Sequence, residues 1–125
     1  MRYLLLVISI LLTNIAFSQN FNKVYKSSYL IYEYGKWQTQ QSLYPEGLYI
    51  ILDGNEIKIT NNKESKYITY GIPEKTKTDE YEYSIWNAYD KEGNSCSFIM
   101  KKFYNSDGFI MSFVYKYYAF EYITE

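Results

Sequence analysis

Asp79-Glu80-Tyr81-Glu82 is a place where side chains of this chain could do chemistry, because Glu80 and Glu82 fall on one side of an extended segment. Two carboxylates can run glycoside hydrolysis when they span a cleft from different strands and one of them holds a raised pKa. Adjacent acids on one strand, entered from a charged segment, instead form a solvated face. Asp90-Lys91-Glu92-Gly93-Asn94 sets acids at alternate positions, as calcium loops do. Its glycine comes too early, however, and the twelfth position is Lys101 where a bidentate Glu is required. A hairpin turn explains this segment better, and the same holds for Asn105 to Gly108.

Cys96 is the single cysteine, between Ser95 and Ser97 and in phase with Phe98 and Met100. No basic neighbour lowers its pKa, so it reads as a small buried hydrophobe rather than a catalytic thiol. A disulfide between two chains is the alternative in an oxidising compartment. The chain has no His, so no Ser-His or Cys-His pair and no imidazole zinc ligand can be built. Nor does it contain S-x-x-K, G-x-S-x-G or a phosphate-cradling glycine loop. No cofactor and no catalytic residue are expected. A carboxylate-based hydrolase is the third-ranked reading.

Aromatic side chains are the abundant resource, with 17 Tyr, 7 Phe and 2 Trp among 125 residues. Tyr and Trp are rigid and amphipathic, which suits platforms for proteins or sugars. Each Tyr also has a plainer use as a half-buried strand residue. Trp37, Trp86, Tyr81 and Tyr83, near turns or on strands of mixed polarity, are the candidate ligand- or partner-binding residues. Gly35-Lys36-Trp37 resembles the G-x-W of lipocalins and their calycin relatives, which implies a ligand-carrying barrel. The resemblance covers three residues, and they follow a strand where the family's motif opens one. A chance match beside a turn accounts for them better, so no family is assigned.

The elements that must position these residues begin after a leader. Arg2, an apolar run from Tyr3 to Leu12, and Ala16 and Ser18 ahead of Gln19 have the order a signal peptidase reads. The run has about half of the roughly 20 apolar residues that a membrane span needs. Residues 1–18 are therefore expected to be cleaved before Gln19, leaving a single β domain over 19–125 in the periplasm or medium. That mature chain carries twelve Lys, no Arg and fourteen acids, a net charge near −2. Without a basic excess or a guanidinium fork, nucleic acid and anionic lipid are poor partners. No membrane span is expected in the mature chain.

Turn signals recur at short intervals, with β-formers between them. Strands are expected at 24–34, 37–44, 48–52, 56–60, 66–70, 80–89, 95–103 and 109–118, the last with Ile123 as its furthest extent. Gly71 to Asp79, with Pro73 and several charges, reads as the longest loop. The fold class is all-β: a small antiparallel meander of about eight strands, closed as a barrel (calycin-like) or folded as a sandwich. Ile57, Ile59, Phe98, Met100, Met111 and Phe113 are placed in the core by period-2 spacing. The strands near 81–86 and 109–118 carry apolar residues on both faces, so something must cover or bind the second face. The leading reading is a non-enzymatic binding module acting on a protein partner, of inhibitor or immunity type, through an aromatic surface. A lipocalin-like barrel holding a small apolar or sugar ligand is the alternative. Homodimerisation through an aromatic face or Cys96 is a further expectation.

Overall fold

A computed structural model describes residues 19–61 and 63–124; the expected leader, 1–18, lies outside them. The described residues form nine strands and no helix. These are β1 (Gln19–Glu33), β2 (Lys36–Leu43), β3 (Tyr49–Asp53), β4 (Glu56–Thr60) and β5 (Glu64–Lys77), then β6 (Tyr81–Asp90), β7 (Ser95–Phe103), β8 (Ile110–Val114) and β9 (Tyr118–Thr124). Every pairing is antiparallel. The order runs β2-β1-β3-β4-β5-β6-β7-β8-β9, and β9 returns to pair with β1. Eight strands therefore close a barrel, and β2 is added outside the ring. The expected antiparallel meander is present, and it is a barrel rather than a sandwich.

Closure depends on the length of β1. Its first residues, Gln19–Lys23, pair with β3, while Ser27–Glu33 pair with β2 along the same edge. The other edge pairs with β9 from Val24 to Ile31, across a bulge at Tyr25. β2 and β3 thus lie end to end along β1, separated by the Tyr44–Leu48 segment, where Val24 N–H bonds the Leu48 carbonyl at 2.9 Å.

Local chemistry fixes the tight turns. Tyr34 and Gly35 both have positive φ, 54° and 77°, as a two-residue type I′ hairpin requires. Gly54, at φ 61°, holds the first central position between β3 and β4, where the type II′ turn places glycine.

Inward side chains fill the barrel. Val24, Ile50, Met111 and Phe113 are essentially inaccessible, and Ile57, Ile59, Tyr67, Ala88 and Phe98 are buried around them. Of the six residues expected in the core, five are buried and Met100 packs against them partly buried. Phe113 stacks on Tyr67 with centroids 3.9 Å apart, lies 5.1 Å from Phe98, and meets Tyr122 edge-on at 6.0 Å. An eight-stranded barrel is just wide enough for side chains to fill it, and these aromatics do so.

Three expectations need correction. The segment 71–79 is not a long loop: β5 continues to Lys77, and residues 71–73 form a bulge between Tyr70↔Asn87 and Glu74↔Ile85. Pro73 cannot donate to a ladder, but inside a bulge it does not have to. The segment from Phe109 towards Ile123 is not one strand either. It folds back as β8 and β9, with Tyr115 N–H bonded to the Tyr118 carbonyl at 2.8 Å. Tyr117 therefore sits in a turn and shares no strand face with Met111 and Phe113. The third concerns the first strand, which begins at Gln19 rather than Val24 because β3 supplies a partner for those residues.

Candidate functional site

Cross-strand partners share a face, so the registers define rows across the outer wall. One row runs Tyr83, Lys101, Ile110, Ile123, Lys26. The next runs Ile85, Ile99, Ser112, Glu121, Ser28, and a third runs Asn87, Ser97, Val114, Ala119, Leu30. Tyr81 and Phe103 form a fourth pair at the edge of the wall. The outer wall of β6–β9 and β1 thus carries five β-branched aliphatics, a leucine and three aromatic rings. A solvated barrel face would alternate to polar side chains there.

The opposite wall is more mixed. Its outward residues on β3, β4 and β5 interleave Asp53, Glu56, Lys58, Glu64 and Lys66 with Tyr49, Ile51, Ile68 and Tyr70, and Phe21 of β1 lies beside Ile51. Glu56 bridges Lys66 at 2.7 Å and reaches Lys58 at 4.0 Å. The lysine hydrogen bond holds the Glu56 carboxyl below its ordinary value. β-Propensity alone cannot explain the apolar wall, since both walls are β-strand and they differ in composition.

The four residues singled out from sequence do not converge on one site. Tyr81 and Tyr83 lie 6.0 Å apart on the outer wall, with Phe103 5.4 Å from Tyr81 and the Lys101 ammonium 3.9 Å above the Tyr81 ring. Trp37 also faces outward, 40% exposed and 5.2 Å from Tyr32. It borders a recess of about 240 Å³ formed with Leu30, Ser112, Val114, Ala119 and Glu121. Trp86 points inward, packed 5.3 Å from Phe98 against the core. Its position on a strand of mixed polarity is explained by the register, which pairs it with Phe98. Ile85, Ile99, Ile110, Ile123 and Leu30 complete the outer surface but were not singled out. Their signal was the missing polar alternation, which marks a face without saying which residues form its centre.

The residues that could do chemistry are held in structural roles. Glu80 sits in the turn before β6, where its N–H bonds the Thr78 hydroxyl at 3.3 Å. Glu82 lies in the ladder between Lys77 and Lys102. Asp90 caps the β6–β7 turn: one carboxylate oxygen accepts the N–H groups of Glu92 and Asn94 at 3.1 and 2.9 Å, and the other accepts the Tyr115 hydroxyl at 2.7 Å. Among the described residues no group of three or more His, Cys, Asp or Glu side chains could hold a metal.

Cys96 pairs across from Ala88 on the inner wall and packs against the core, so a disulfide to another chain would have to reach into the barrel. Burial pushes its thiol up to about 11. At pH 8 that leaves roughly a thousandth as thiolate, against a tenth or more for an ordinary cysteine. Folded protein should therefore react with iodoacetamide at least about tenfold more slowly than urea-unfolded protein. Equal rates would show that the thiol is open to solvent.

The fold defines a closed eight-stranded antiparallel barrel with a packed interior and one added strand. Compared with known proteins, the chain matches no family model, no curated protein and no solved structure.

Proposed function

We propose that this is an exported, non-enzymatic binding module that holds a protein partner against the apolar outer wall of its barrel. The observation that carries the reading is the contiguous apolar stretch on that wall. Tyr83, Ile85, Ile99, Ile110 and Ile123 face outward side by side there, whereas the opposite wall intersperses Phe21, Tyr49 and Ile51 with the ion-paired Glu56, Lys58 and Lys66. Aromatic and aliphatic residues on a flat face bury large area at low entropy cost, which is how protein interfaces gain their central energy. A carrier with its ligand inside the barrel is less favoured, because Phe98, Met111 and Phe113 occupy that space. A second reading rests on a recess of about 220 Å³ where Tyr67, Tyr115, Tyr118 and Phe120 meet Glu64, Lys66, Asp90 and Glu92, a mix of rings and polar groups of a size for a small sugar-like ligand.

Export is proposed from the Arg2, apolar run and Ala16-x-Ser18 order. Intact-mass measurement on protein from the native cell is expected to find a chain beginning at Gln19. A soluble cytoplasmic product retaining Met1 would overturn it.

Affinity capture from the native secreted and envelope fractions tests the wall. The wild type should retain a specific partner. A folded Tyr83→Ser/Ile99→Ser variant should lose at least about tenfold of it, as interface centres do. A Glu80→Gln/Glu82→Gln variant should retain it. If the acid pair is needed and the wall is not, the binding reading fails and a carboxylate enzyme replaces it.

A further inference from the structure

β2 presents an open sheet edge. Among the described residues it pairs with β1 alone, at the end of the strand order. The direction of its backbone groups follows from the hairpin. Glu33 and Lys36 close the two-residue turn, so they form a hydrogen-bonded pair, and the next pair, Tyr32 with Trp37, does not. Tyr32 N–H confirms the alternation by bonding the Tyr117 carbonyl at 2.8 Å, on the side away from β2. The N–H and C=O of Trp37 and of Thr39 therefore point outward from the sheet. Gln40 is the extra residue of a bulge, between Leu30↔Thr39 and Tyr29↔Gln41, and it ends the regular edge.

Proteins commonly guard such an edge with lysines. Here the residues from Trp37 to Leu43 carry no charge.

We propose that β2 is a dimer edge, at which two copies of this chain pair antiparallel about a two-fold axis through Gln38. In that register Trp37 faces the partner's Thr39 and Thr39 faces the partner's Trp37. Both residues have outward backbone groups, so the two pairs exchange four N–H···O=C bonds. Faces match as well: Trp37 and Thr39 share the outer face with Tyr32 and Leu30, and Gln38 meets its own symmetry mate on the inner face. Lys36 falls opposite the partner's Gln40, so no like charges oppose. Each Trp37 ring comes beside the other copy's Thr39, whose cross-strand neighbour Leu30 lines the outer recess. The contact is isologous, as a closed dimer requires. It is separate from the partner-binding reading, whose named centre, Tyr83, Ile85, Ile99, Ile110 and Ile123, lies on β6–β9.

Two measurements test it. Sedimentation from about 10 µM to about 1 mM should show a monomer giving way to a dimer, since a short four-bond edge is a weak contact. Thr39→Pro removes an N–H that faces away from β1, so it should keep the fold by circular dichroism and abolish the dimer. Gln38→Cys then reads the register directly. The Cα atoms of a non-hydrogen-bonded antiparallel pair lie about 4.5 Å apart, inside the roughly 4.4–6.8 Å that a disulfide spans. Under mild oxidation Gln38→Cys should cross-link at least about fivefold more than Gln41→Cys, beyond the bulge, with wild type, bearing Cys96 alone, as the blank. A monomer at every concentration would leave the edge to a foreign strand and overturn the proposal. So would a dimer that survives Thr39→Pro, or Gln41→Cys cross-linking as readily as Gln38→Cys.

Discussion

Phe113→Ala is expected to destabilise the domain by about 3–5 kcal/mol, the range for deleting a buried phenylalanine without full collapse of the site. Phe113 has no accessible surface and contacts three other rings, Tyr67, Phe98 and Tyr122. Each ring pair adds a geometry-dependent part, roughly 0.5–1.5 kcal/mol beyond area burial. A domain of this size is stable by about 5–15 kcal/mol, so the loss is a large fraction of the whole. Denaturant melts of the variant and of Ser112→Ala, its outward neighbour, measure it. The second should shift by less than about 0.5 kcal/mol, as substitutions away from the core do. A shift that small for Phe113→Ala would mean the barrel interior is not the core.

Asp90→Ala comes next, at about 1–3 kcal/mol near pH 7, because it strips the acceptor from the part-buried Tyr115 hydroxyl and unties the β6–β7 turn. Burial alone would raise the Asp90 pKa, but the hydrogen bonds from Tyr115, Asn94 and Glu92 outweigh it and hold the carboxyl below its ordinary value. A carboxylate lowered in the folded state stabilises above its unfolded pKa and loses that contribution as pH falls through the folded one. The difference between wild type and Asp90→Ala should thus be full at neutral pH and shrink below about pH 4. A pH-independent difference would assign the effect to packing rather than to the charge.

Much of the architecture could be read from residue types. Ile57 and Ile59 alternate next to Asp53-Gly54, and that hairpin and that core face are both present. Segments failed where a local rule was overridden by neighbours far along the chain. Pro73 and the charges around it looked like a loop, yet β6 supplies a ladder on both sides of the bulge that absorbs the proline. The turn at 115–117 contains no Gly, Pro, Asn or Asp, so the β8–β9 reversal had no local mark. Trp86 looked accessible because its strand alternates with Glu82 and Ser84, and its inward direction is set by the Phe98 partner. The outer wall was legible as a second apolar face. Which residues lie side by side on it depends on registers across five strands, which spacing within one strand does not encode.

The closing of β1 against β9 has a consequence for how the chain comes to be folded. The first and last described strands are neighbours in the ring, so the ring cannot close until nearly the entire chain is available. Such long-range pairing carries a high entropic cost before any reward, and all-β domains of this kind fold in milliseconds to seconds rather than microseconds. A chain still emerging from the ribosome can form the local β1–β2 hairpin, but the β1–β9 seam stays open until the last strand is made. Were the chain exported as proposed, this late closure of the ring would favour crossing before the barrel forms.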